Sequence, residues 1–107
     1  MELVQAHNEA IMAARKATED FLAKHGDRDC CGFASVRIYG VKLSTKLGKE
    51  FVKLGFRKNY GGGIELWNPS GSWTQAITAK EKGAEAYVEV FRKYFPDMKI
   101  YSWSRMD

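Results

Sequence analysis

The chain has 107 residues, which is one domain's worth, and its 45% hydrophobic and 28% charged content is that of a compact globular protein. Its net charge of +4 and pI near 9.1 favour anionic partners such as phosphates, nucleotides or nucleic acid. No apolar run approaches the ~18 residues of a membrane span. The first residues, MELVQAHNEA, lack a basic leader and a cleavable apolar segment, so a cytoplasmic protein with no membrane partner is expected.

Residues 3 to 24 read as a long helix, with Val4, His7, Ile11, Ala14, Thr18, Phe21 and Leu22 at helical spacing and Gly26 as its stop. Alanines at 10, 13, 14 and 17 let this helix approach another surface closely. Cys30 and Cys31 are adjacent, a spacing that strains a mutual disulfide. They form no CxxC, and with His7 and His25 both in the first helix they do not make a four-ligand zinc set, so reduced cysteines and no metal or other cofactor are expected.

CCGFASVRIYG follows as a strand, with Ala34, Val36 and Ile38 on one face and Phe33, Ser35, Arg37 and Tyr39 on the other. Ser44 is placed to cap a short helix whose apolar stripe is Leu47, Phe51 and Leu54, closed by Gly55. Phe56 to Tyr60 and Ile64 to Trp67 read as a hairpin around Gly61-Gly62-Gly63, and Asn68-Pro69-Ser70-Gly71 as a turn. Thr78-Ala79-Lys80-Glu81 has the form of a capping box. It opens a helix with Ala84, Tyr87, Val88, Phe91, Tyr94 and Phe95 inward, which Pro96 ends. Met98 to Arg105 reads as the last strand.

After the first helix the order is βαββαβ. The expected fold is therefore α+β and ferredoxin-like, a four-stranded antiparallel sheet with two helices on one face, preceded by a long N-terminal helix in a single domain of residues 1–107. Ala34, Val36, Ile38, Ile64, Leu66, Met98 and Ile100 are its predicted core. Lys99, Tyr101, Trp103 and Arg105 then fall on the opposite sheet face, together with Phe33, Arg37, Tyr39, Glu65 and Trp67. Aromatics interleaved with guanidinium groups suit planar anionic ligands. A base stacks on an aromatic ring for roughly 1–3 kcal/mol, and arginine grips phosphate with two parallel hydrogen bonds. The expected ligand-binding set is Phe33, Arg37, Trp67, Asn68, Gln75, Tyr101, Trp103, Arg105 and Asp107. Covering of this face by the N-terminal helix or by a second subunit is the competing reading. The long alanine-bearing helix and the aromatic face together offer more apolar surface than a monomer of this size usually exposes, so a homodimer is expected, with room for a ligand pocket at its rim.

No GxSxG, HExxH, GxGxxG or GxxxxGK[ST] pattern occurs, and a binding protein rather than an enzyme is expected. The ordered set Cys31-Gly32-Phe33-Ala34, YGGG (60–63), WNPSG (67–71), the Thr74-Gln75 pair, the K-x-x-G-A helix start (80–84) and SRMD (104–107) resembles a group of short phage and prophage proteins. That resemblance covers most of the chain after residue 29 and implies a phage-associated, cytosolic setting. In such a setting the residues fit sequestration of a small nucleotide-derived host signal. Trp67, Trp103 or Tyr101 would stack on the base, Arg105 and Arg37 would hold phosphate, and Asn68 would read a polar edge. RNA or single-stranded DNA binding and inhibition of a host defence nuclease complex, in the manner of an anti-CRISPR protein, are the alternatives.

Overall fold

The computed structural model describes residues 2–27 and 31–106. The elements are α1 (Glu2–His25), β1 (Gly32–Tyr39), α2 (Lys46–Lys53), β2 (Arg57–Lys58), β3 (Ile64–Trp67), α3 (Ile77–Tyr94) and β4 (Lys99–Met106). The four strands form one antiparallel sheet in the order β2-β3-β1-β4. β1 pairs with β4 over its whole length, from Gly32 opposite Met106 to Tyr39 opposite Lys99. On its other side it pairs with β3, from Ser35 opposite Trp67 to Ile38 opposite Ile64. The fold is α+β, with a long N-terminal helix.

The period-2 pattern of the strands sets the core. Ala34, Val36, Ile38, Ile64 and Ile100 are buried on the face that meets α3. From the helix side Tyr87 and Phe91 stack at 5.6 Å, and Phe51 of α2 joins them, 6.1 Å from Phe91 and 5.1 Å from Phe56. Rings dominate because they bury large apolar areas with few rotatable bonds. Met98 is half-buried at the margin of this cluster.

α1 packs on α3, and no described helix lies on the other face of the sheet. The buried residues of α1 are Leu3, Ala6, Ala10, Ala14 and Thr18, a stripe one step around the helix from the predicted one, so Val4 is exposed. The reason is distance: where Ala14 and Thr18 cross α3, only small side chains fit the seam. Gly83 of α3 completes it, since a Cβ there would lie 2.6 Å from Thr18 Oγ1 and 3.2 Å from the Ala14 carbonyl oxygen. Polar contacts fix the register. Thr18 Oγ1 donates to the Ala79 carbonyl at 2.7 Å, and Tyr94 OH donates to Glu9 Oε2 at 2.5 Å. Tyr87 OH meets His7 Nδ1 at 2.7 Å. Burial raises the Tyr87 pKa, so the phenol keeps its proton and donates, and burial lowers that of His7.

Four local expectations are corrected. α2 is capped by Thr45, not Ser44: Thr45 is extended (φ −81°, ψ 163°), and its Oγ1 accepts from Gly48 N at 3.0 Å. Leu47 faces solvent rather than the core. The strand expected over Phe56 to Tyr60 shrinks to Arg57–Lys58, because Asn59 turns the chain at once, taking N–H bonds from Gly62 on its carbonyl and from Gly61 on its side chain. The expected capping box does not form. Ala76, bridged to Cys31, is the N-cap of α3 without a side-chain cap, and Glu81 instead accepts from Ser104 Oγ at 2.5 Å.

Two stability measurements test this packing. Gly83→Ala should destabilise the protein by about 1–3 kcal/mol in urea titration, as an overpacked seam does. His7 prefers to be neutral in the folded state, so its contribution is complete above about pH 6.5, the ordinary value of an unfolded histidine, and is lost as the pH falls below it. His7→Gln, which keeps an acceptor for Tyr87, should flatten that acid-side slope in melting curves.

Candidate ligand-binding face

The strand register lays the helix-free face out as rows across the sheet. One row is Trp67, Ser35 and Trp103; the next is Glu65, Arg37 and Tyr101; Phe33 lies opposite Arg105 at one end and Tyr39 opposite Lys99 at the other. Ser35 sits between two indoles and is fully buried although no helix covers it. Its Oγ donates to Glu65 Oε2 at 2.6 Å, and Arg37 Nε donates to the same oxygen at 3.2 Å. The Arg37 guanidinium lies 3.9 Å from the Trp103 ring centroid. A guanidinium paired on its edge and stacked on its face is held in place. The second half of the face is thus a closed lattice: Glu65 neutralises Arg37, Arg37 positions Trp103, and Tyr101 leans 6.1 Å from Tyr39.

The end around Phe33 is different. The Phe33 ring is 5.1 Å from Trp67, with Lys80 Nζ 5.6 Å and the Arg105 guanidinium 5.8 Å from its centroid. Lys80 Nζ donates to the Gly32 carbonyl at 2.9 Å. Among the described residues neither Lys80 nor Arg105 has a carboxylate partner. Phe33, Trp67, Asn68, Trp73, Gln75 and Lys80 line a cleft of about 230 Å³.

The loop after β3 forms the outer wall of that cleft. Asn68 takes a left-handed conformation (φ 47°), which asparagine tolerates better than most residues. Its N–H donates to the Ala34 carbonyl at 3.0 Å, tying the loop to β1. Its side-chain amide donates to the Ser72 carbonyl at 3.1 Å, while Oδ1 accepts from Ser70 Oγ. Asn68 therefore shapes the loop, with both polar ends of its amide engaged. Further along, Thr74 Oγ1 donates to Asp27 and accepts from Ala76 N. Between these two anchors Trp73 projects with 97% of its surface exposed.

Of the predicted residues, Phe33, Trp67, Asn68 and Gln75 come together in the cleft, with Arg105 beside it. Arg37, Trp103 and Tyr101 form the neighbouring lattice. Asp107 lies outside the described residues. Sequence pattern does not reveal Trp73 or Lys80 as site residues: a loop residue carries no periodicity, and Lys80 stands in the sequence only as part of a helix start. No group of three or more His, Cys, Asp or Glu side chains that could hold a metal occurs among the described residues, and none of their helices is long and apolar enough to cross a membrane. Comparison with models of protein families, with curated proteins and with solved structures finds no match.

The lattice has its own test. Glu65→Leu leaves Ser35 and Arg37 without their acceptor and should cost about 1–3 kcal/mol in chemical denaturation. Glu65→Gln keeps an acceptor oxygen and should cost less.

Proposed function

We propose that the protein binds a small, planar, anionic ligand of the nucleotide class in the cleft between β3, the loop after it and α3. The observation that carries this reading is the pairing of three aromatic rings with two cations that have no carboxylate partner among the described residues. A base would stack against Trp67 and the projecting Trp73, each contact contributing roughly 1–3 kcal/mol. Lys80 and Arg105 would take the phosphate, for which Arg37 is already committed to Glu65. The cleft is smaller than the ~300 Å³ at which drug-sized pockets begin. It suits one base, with the sugar and phosphate extending toward the rim.

We read the sheet beneath it as the ferredoxin-like split βαβ. The order β2-β3-β1-β4 supports this, since β3 lies between β1 and β2 while β4 flanks β1. In the phage-associated setting that the motif resemblance implies, binding without catalysis would withdraw a nucleotide-derived signal from the host. A second reading, RNA or single-stranded DNA binding, is favoured by one observation: Trp103 and Tyr101 continue the rings across the sheet beyond the cleft.

All three tryptophans of the chain lie on this face or its loop, so intrinsic fluorescence reports on it directly. Titration with mono-, di- and cyclic nucleotides should give saturable quenching. Trp73→Ala and Arg105→Ala should weaken it about tenfold or more at an unchanged melting temperature, and Arg105→Lys should restore only part of it. Affinity that rises with oligonucleotide length and falls steeply with salt would favour the second reading. No quenching by either class would overturn both.

A further inference from the structure

The two edges of the sheet differ. β2 has two residues, Arg57 and Lys58, and turns away at once. β4 has eight, runs in unbroken register along β1, contains no proline and forms the other edge. Natural edge strands are usually short, bulged, charged or covered, because an open row of backbone donors and acceptors recruits another strand. In β4 the outward backbone groups are covered at one end only. Arg92 reaches from α3 to donate to the Ile100 carbonyl at 2.6 Å, and Ile100 N donates to Met98. Both backbone groups of Ile100 therefore point away from β1. By strand alternation those of Ser102, Ser104 and Met106 point the same way. Tyr101 and Met106 are exposed large apolar residues along this stretch.

We propose that β4 pairs antiparallel with β4 of a second copy, around a two-fold axis at Trp103, to make one continuous sheet. The register is argued from complementarity. Centred on Trp103, Ser102 of each copy exchanges backbone hydrogen bonds with Ser104 of the other. On the open face Trp103 meets its own copy, and Tyr101 lies opposite Arg105, a cation–π pairing. Centred on Ser102, the pairing would set Lys99 against Arg105 twice. Centred on Ser104, the two β4 strands would overlap only from Ser102 to Met106. Beneath the axis lie Glu81 and Glu85, and each is already engaged, Glu81 by Ser104 Oγ and Glu85 by Lys82 at 3.8 Å. The clefts stay open, because Trp67 and Trp73 lie on the far side of β1 from this edge. The pairing joins the two aromatic faces at Trp103 and so builds a two-fold symmetric surface.

Sedimentation equilibrium with circular dichroism tests this. The parent chain should be a dimer at micromolar concentration. Ser102→Pro, which removes an outward N–H, should be monomeric with an unchanged spectrum. Tyr101→Lys should weaken the dimer about tenfold or more by facing Arg105 of the other copy. The double variant Tyr101→Lys with Arg105→Glu should restore it. Within one strand these positions are about 13 Å apart, too far to pair internally, so the rescue reads the intermolecular register even if Ser102→Pro fails to fold. A parent chain that stays monomeric would leave the edge to a strand of another protein and overturn the proposal. A dimer that persists in both single variants would overturn it as well.

Discussion

The close seam between α1 and α3 is the constraint on which the rest of the molecule depends. A long amphipathic helix ahead of a half-covered sheet has two places to go. It can cover the bare sheet face, or it can stack on a helix already in place. Here the small stripe of α1 meets Gly83 and Ala84 of α3, and the two backbones come too close for larger residues. The hydroxyl of Thr18 and the imidazole of His7 then find partners that exist only on α3. A buried hydroxyl without a partner is costly, so these contacts select one docking mode over the other as well as stabilising it.

The sheet face left bare is divided by electrostatics. Toward its middle, Glu65 binds Arg37 and Ser35 and so fixes Trp103; this part supplies rigidity. Toward Phe33, the cations have no such partner among the described residues, and the rings lie beside an open cleft. Guanidinium and aromatic groups occur in both halves, and the position of a single carboxylate separates a structural cluster from one suited to a ligand.

Much of the fold was legible from the sequence because it rests on period and parity. Ala34, Val36, Ile38 and Ile100 alternate with ringed and charged residues, and burial follows that alternation. Tyr87, Val88 and Phe91 announce the inner face of α3 in the same way. What escaped depends on distance rather than period. The stripe of α1 shifted because the close crossing of Ala14 and Thr18 over Gly83 sets the helix's rotation, which turns Leu3 inward and Val4 outward. The caps shifted by a residue or two because Thr45 could reach Gly48 N, and because the bridge between Cys31 and Ala76 sets where α3 begins. The candidate site was half legible. Strand residues such as Phe33, Trp67 and Arg105 declare their face by register. Trp73 is placed by the bonds of Asn68 and Thr74, and Lys80 by its reach across to Gly32, neither of which has a sequence period.

The docking of α1 is the central claim, since a helix lying over the sheet would close the face and its cleft together. Nuclear Overhauser spectra of the labelled protein measure it directly. Cross-peaks between the His7 and Tyr87 rings, and between the Thr18 side chain and the Gly83 α-protons, are the result this account predicts. Cross-peaks from the Ala10 or Ala14 methyls to the Trp103 indole or the Arg37 side chain would place α1 on the sheet and contradict it.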